Sequence, residues 1–361
     1  MPVVEALDVN VYTVPTVTPE SDGTACWAQT SMVVVRLWSG GVGGLGYSYA
    51  HPAAARIVES PLRDLVVDFD VHATEAAWIR MGQAIRNFGR PGIAMAAVSA
   101  VDSALWDLKA RLLGLPLADL LGRVRDGILI YGSGGFTNYS MEHLAEQLSN
   151  WAAAGIRVVK MKVGTWPGED VARVRQVRRA VGEGARIFVD ANGAYGAKQA
   201  LAFAEEFQAE GVVWFEEPVS SDDLEGLAFV RAHGPGGMDV AAGEYGHDPS
   251  YFRRMLAAGA VDVLQADATR CGGVTGWMKA AALAEGFHIG LSAHTAPALH
   301  QHVCCAAAAA VNLEYFYDHV RIEEMLFDGV TRPRGGFLHP DPTRAGNGLE
   351  LKTREAARFA A

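Results

Sequence analysis

A chain of 361 residues, half of them apolar and a fifth charged, can build two ordinary cores and carries no compositional mark of disorder. A net charge of −10 with no basic run excludes nucleic acid and anionic membrane surfaces as partners. It does not exclude a small anionic substrate, because a few lysines and a metal ion can reverse the field locally. The chain has no run of about eighteen uncharged apolar residues, and Met1–Pro15 alternates apolar with polar residues, so neither a membrane span nor a signal peptide is expected. The four cysteines (Cys26, Cys271, Cys304 and Cys305) form no CxxC pair, which suits a reducing cytoplasm better than a disulfide framework.

Residues 3–16 and 31–38 read as strands. The glycine-rich stretch 40–46 reads as a hairpin turn into a further short strand, Tyr47–Ala50. Within it, Gly41-Val42-Gly43-Gly44-Leu45-Gly46 matches the dinucleotide-binding pattern letter for letter. It leads into a strand and not a helix, so no helix N-terminus awaits a pyrophosphate. Helical patterns follow over 73–89 and 93–113, the second so rich in alanine and leucine that most of its faces must be buried. Residues 1–126 therefore form an α+β module.

From about residue 127 the pattern becomes a regular alternation. Short apolar runs ending in polar residues recur with ends near 133, 162, 190, 216, 244, 267, 294 and 314, separated by helical stretches such as 169–181, 197–210 and 274–286. Eight such units predict a (β/α)₈ TIM-type barrel over 127–330, with its active site at the carboxyl ends of the strands. The Pro- and Gly-rich tail, 331–361, is expected to pack back on the first module.

The strand ends hold the chemistry. A buried parallel strand should be apolar, since an unpaired charge costs several kcal/mol to bury. Yet the successive ends carry Lys160 and Lys162, Asp190, Glu216, Glu244, Asp267, His294 and Glu314. Asp190, Glu216 and Glu244 supply three hard oxygen ligands from consecutive strands, a set that suits Mg²⁺ and, lacking cysteine, argues against zinc. The plain structural alternative is a salt-bridge cluster with the two lysines. Lys160 and Lys162 alternate by two and both point into the barrel mouth, where mutual repulsion and a nearby dication should depress their pKa and make a base. Asp267 is placed to orient His294 as a second base on the opposite face. Glu217, beside Glu216, should point the other way and be structural, and His300 and His302 diverge on a helix and make weak metal candidates.

These motifs closely resemble the mandelate racemase subgroup of the enolase superfamily, over essentially the whole chain. The resemblance rests on VKMKVG, VDAN, FEEP, AAGE, DATRCGGVTG, SAH and NLEY, with the helix Val98–Leu108 resembling the segment that joins capping domain to barrel. It implies one Mg²⁺ on Asp190, Glu216 and Glu244, and Lys162 and His294 as opposed bases. It implies further that Lys160 neutralises a substrate carboxylate and that Glu314 hydrogen-bonds a developing enediolate. Ser133 and Asn192 occupy positions that resemble substrate contacts. Specificity in this superfamily depends on the capping-domain loops, here Thr18–Gly23 with Trp27 nearby, so Glu20, Asp22 and Trp27 are the substrate-side candidates. The implied chemistry is abstraction of the proton alpha to a carboxylate, with dehydration of a sugar acid (aldonate or aldarate) foremost. Racemisation, epimerisation or cycloisomerisation by the same two bases is the alternative, and a barrel that has lost catalysis the rival of another class. The partner expected is a small carboxylate, in an enzyme that assembles as a homo-oligomer.

Overall fold

A computed structural model describes residues 1–361. The first module opens with a three-stranded antiparallel sheet, β1 (Ala6–Ser21), β2 (Cys26–Ser39) and β3 (Val42–Tyr49). The run Met32–Val35 of β2 is continuously apolar because both its faces are covered. Val33, Val35 and Leu37 enter the capping core, whereas Met32 and Val34 enter the core shared with the barrel. Two helices, α1 (Thr74–Ala84) and α2 (Ile93–Leu112), close the capping core, and α2 is buried on nearly all sides, as its composition predicts.

Two readings of this module are corrected. The stretch 40–46 is not all turn: only Gly40 and Gly41 take left-handed φ values (56° and 78°), and β3 already begins at Val42. Gly44 and Gly46 sit inside β3, where a Cβ would collide with the α2 backbone, so their smallness serves close sheet–helix packing. Likewise Thr18–Ser21 is not a loop. β1 runs on to Ser21 through a register shift between Pro15 and Glu20, and the turn is confined to Asp22–Ala25, where Asp22 Oδ1 accepts the N–H groups of Thr24 and Ala25, each at 2.7 Å.

Eight strand–helix units follow. The strands are β4 (Ile128–Gly134), β5 (Val158–Lys162), β6 (Arg186–Asp190), β7 (Val212–Glu216), β8 (Asp239–Ala242), β9 (Val263–Ala266), β10 (Gly290–Ala293) and β11 (Ala310–Phe316). All neighbours are parallel, and β11 pairs back with β4, so the sheet closes into a barrel. The outer helices are α3 (Met141–Ala153), α4 (Pro167–Val181), α5 (Ala197–Ala209), α6 (Leu224–His233), α7 (Pro249–Ala257), α8 (Gly273–Gly286), α9 (Pro297–Ala306) and α10 (Tyr317–Leu326). Each βα unit lays its helix outside the barrel, which leaves the strand carboxyl ends as one continuous rim.

Register decides what meets at that rim. Lys162 pairs with Asp190, and Asp190 with Glu216, so three chemically active residues lie level. One layer below, Lys160 is level with Phe188 and Trp214, whose rings stack at 4.7 Å and, with Tyr131, floor the mouth. The cap is clamped over the mouth at the turn that follows β9. Asp102 on α2 accepts Thr275 N–H at 2.9 Å and its hydroxyl at 2.7 Å, Ser99 Oγ accepts Gly272 N–H at 2.8 Å, and the Trp78 indole donates to Gly272 O at 2.9 Å. The tail touches both modules: Phe337–Leu338 pairs with β4, and Ala360 bridges to Tyr12 of β1. No helix is long and apolar enough to cross a membrane.

Candidate active site

A cavity of about 630 Å³ lies between the cap hairpin and the barrel mouth, lined by residues of both modules. The chain leaves β6, β7 and β10 through left-handed residues, Asn192 (φ 46°), Glu217 (φ 37°) and Thr295 (φ 50°). Strained non-glycine backbone at three strand ends of one rim is the kind of cost that a functional site retains.

Asp190, Glu216 and Glu244 are all buried, and one carboxylate oxygen of each lies within 4.8 Å of the others. Glu244 Oε2 is buried with no hydrogen-bond partner, an orphaned acceptor facing the same space. Hard oxygen donors with an unsatisfied lone pair fit a divalent cation such as Mg²⁺, which takes a few carboxylates and fills its shell with water or substrate oxygens. Glu217 corrects its expected outward direction. It is buried beside this cluster with Oε1 unpartnered, and burial, reinforced by the Glu244 charge, pushes its carboxyl well above the ordinary range.

Lys162 Nζ lies 2.5 Å from Asp190 Oδ2. Lys160, fully buried one layer lower, pairs with Glu216, lies 2.9 Å from Glu314 and 3.4 Å from Asp190, and sits over the Tyr131 ring. The expectation of depressed lysines is not met in this arrangement. Burial disfavours their charge, but the carboxylates outweigh it, Asp190 for Lys162 and Glu216 with Glu314 for Lys160, and both are held above the usual lysine range.

Across the mouth, His294 Nδ1 lies 2.9 Å from Asp267 Oδ2. Its Nε2 faces Glu244 Oε2 at 3.4 Å and Glu314 Oε2 at 3.8 Å. Burial opposes the Asp267 charge, yet the bond to His294 holds that carboxyl well below the usual range. Asp267 therefore keeps a proton on Nδ1 and leaves Nε2 free to act as a base. Glu314 accepts Thr295 N–H at 3.2 Å; burial opposes its charge, but Lys160 brings its pKa down to about 2.

The substrate-side candidates divide. Asp22, Trp27 and Asn192 line the cavity. Asn192 N–H donates to Asp190 Oδ1 at 2.9 Å, and its carbonyl accepts the Thr24 hydroxyl of the cap hairpin at 3.3 Å. Glu20 does not line it: its carboxyl is buried behind the hairpin and accepts the Trp27 indole N–H at 2.9 Å, so it braces Trp27. Ser133 is also fully buried, level with Lys160, and does not reach the cavity. His300 accepts Ala268 N–H at 2.8 Å, and His302 is bonded to Asn347 O at 3.0 Å, so both are structural.

Two groups escaped the reading of the sequence. Arg270 lines the cavity, donates to Glu244 O and Oε1 at 3.2 Å each, and lies 3.5 Å from Asp267 Oδ2, tying the metal-ligand cluster to the histidine dyad. Its only signal was its place three residues beyond Asp267 in DATR. His319 lines the far wall, stacked on Tyr49 at 3.4 Å and 11°, a contact between cap and barrel that no local pattern announces.

Fold and rim together define a barrel enzyme whose carboxylate cluster is flanked by two basic side chains from opposed parts of the mouth. Residues 6–122 match the model of the mandelate racemase / muconate lactonizing enzyme N-terminal domain, and 143–356 that of the enolase C-terminal domain-like family. The chain belongs to the enolase superfamily, in its mandelate racemase subgroup. It is similar over its whole length to a mandelate racemase/muconate lactonizing enzyme-like protein from Rubrobacter xylanophilus (53% identity, all of both chains covered, TM-score 0.98). A 3,6-anhydro-alpha-L-galactonate cycloisomerase of Streptomyces coelicolor is 31% identical over 99% of each chain. An L-talarate/galactarate dehydratase of Salmonella typhimurium is 30% identical over 93% of this chain and 86% of its own. Its crystal structure liganded with Mg and L-lyxarohydroxamate covers all of this chain and 93% of that one, at TM-score 0.92 and 27% identity.

Proposed function

We propose that this enzyme removes the proton alpha to the carboxylate of a sugar acid and then expels the β-hydroxyl, giving a 2-keto-3-deoxy acid. The observation that carries the reading is the placement of Lys162 and of the His294–Asp267 dyad on different sides of the Asp190–Glu216–Glu244 cluster, with Lys162, Glu244 and His294 lining one cavity. An alpha proton beside a carboxylate is very weakly acidic, so the negative charge of an enediolate is the main barrier to be lowered. Asp190, Glu216 and Glu244 would hold Mg²⁺, which supplies fixed positive charge where that negative charge develops.

This chain's own residues do the remaining work. Lys162, released from Asp190, is the base for one face of the alpha carbon; His294, held in one tautomer by Asp267, serves the other. In dehydration Lys162 takes the alpha proton, and His294, entering as the imidazolium, gives its Nε2 proton to the β-hydroxyl, which leaves as water. Lys160 and Glu314 form a buried ion pair beneath the reacting centre that fixes the local charge balance. The similarity to a sugar-acid dehydratase supports elimination as the outcome.

Cycloisomerisation is the second reading, favoured by the full-length similarity to a cycloisomerase. It uses the same proton abstraction and differs in the leaving oxygen. A screen of a sugar-acid library with Mg²⁺ in D₂O, followed by NMR, separates them. Keto-acid formation supports dehydration; an isomeric product supports cycloisomerisation; absence of both product and deuterium incorporation across the library overturns the proposal.

A further inference from the structure

We infer that the substrate carries one carboxylate, at the reacting end, and that its far end is neutral and hydroxylated: an aldonate-type acid and not a diacid. This rests on the sugar-acid reading above and on the charges that line the cavity. Its cap-side wall is polar at Thr13, Asp22, Gln29, Thr30, Ser31 and Tyr49, beside the Trp27 ring and the His51 imidazole, and carries one carboxylate and no lysine or arginine. Such a wall matches the alternating donors and acceptors of a polyol chain.

Only two permanently cationic side chains line the cavity, and both stand at the barrel mouth with carboxylates already on them. Lys162 is on Asp190 at 2.5 Å, and Arg270 is on Glu244 at 3.2 Å and near Asp267 at 3.5 Å. A second carboxylate at the far end would therefore meet no free cation. The imidazole of His319 does not replace one, because burial keeps it neutral and its Nδ1 accepts Ala296 N–H at 3.3 Å. His51, at the same wall, has its Nδ1 accepting Ala53 N–H at 3.2 Å. The carboxylate of Asp22, locked in place by its own turn, would instead repel the incoming charge. An uncompensated like charge on the wall is an ordinary means of rejecting the wrong ligand.

The test pairs each aldonate with the aldarate of the same configuration at every carbon and compares kcat/KM by keto-acid formation and by alpha-deuterium exchange. The expected result is a preference for the aldonate of at least about tenfold within each active pair, the scale of one unfavourable contact between like charges in a partly solvated site. In Asp22→Asn the ratio should move toward the diacid. A diacid used as well as, or better than, its matched aldonate overturns the inference while leaving the sugar-acid reading standing. An aldonate preference that Asp22→Asn leaves unmoved overturns the part assigned to Asp22. Failure of every acid in both assays overturns the sugar-acid reading itself and this inference with it.

Discussion

His294 presents its two ring nitrogens to different tasks: Nδ1 lies 2.9 Å from Asp267 Oδ2, and Nε2 faces the Glu244 and Glu314 carboxylates inside the cavity. The asymmetry makes a prediction about Asp267. In Asp267→Asn the ring keeps its place but loses the carboxylate that fixes its tautomer, so turnover should fall by about 10³–10⁴-fold, as in other carboxylate–imidazole dyads. Steady-state kinetics with the identified substrate check this; a loss below tenfold would refute the role.

Lys162→Ala and His294→Asn should each abolish net turnover while keeping exchange on one substrate face. Each variant still holds the other base and the carboxylate cluster, so the alpha proton on the surviving base's side should wash out in D₂O, as read by ¹H NMR. Loss of exchange on both faces in either variant would be inconsistent with two independent bases.

Removal of a carboxylate from the cluster should act on the metal first. Glu216→Gln replaces an anionic donor with a neutral amide, and Mg²⁺ affinity measured by calorimetry should fall at least about tenfold, with exchange lost on both faces. Arg270→Gln should weaken Mg²⁺ binding by about 10–100-fold without touching the ion, because Arg270 holds Glu244 through its Oε1. Arg270→Lys, which keeps the charge, should recover part of that loss.

The cap hairpin should carry a pH signature. Burial, with Asp318 adding to it and the Trp27 bond opposing it, pushes Glu20 up to about 8 from an ordinary value of 4.5. Between those values the folded state binds more protons than the unfolded chain, so this group's contribution to stability is largest below about 4.5 and declines as pH rises through about 8. Glu20→Gln, a neutral mimic, should unfold at a higher temperature than the parent at pH 8 and at nearly the same temperature near pH 4.5. Equal melting temperatures at both pH values would contradict the assignment.

Gly46→Ala should destabilise the capping module by about 1–3 kcal/mol, since the new methyl would press on the α2 backbone at Ala100 and Ala104. Denaturant unfolding reads the change.

The sequence by itself determined the barrel and most of its rim. Eight apolar runs at near-regular spacing can close in few ways, and a titratable residue at the end of an otherwise buried strand is expensive enough to be informative when it recurs at seven of the eight. Asp190, Glu216, Glu244, Lys162, Asp267 and His294 were legible for that reason. Tertiary structure alone decided which neighbours these groups keep, because contacts between residues far apart in the chain leave no local periodicity. Lys160 and Lys162 look alike in VKMKVG, yet one is sealed beneath the rim against Glu314 and the other opens to the cavity. Glu20 and Asp22 look alike in the hairpin, yet Glu20, near the end of β1, accepts the Trp27 indole N–H, whereas Asp22, in the turn beyond the strand, lies on the cavity wall. The charges on that wall depend on how the cap docks on the barrel, a packing of two surfaces that neither segment encodes alone.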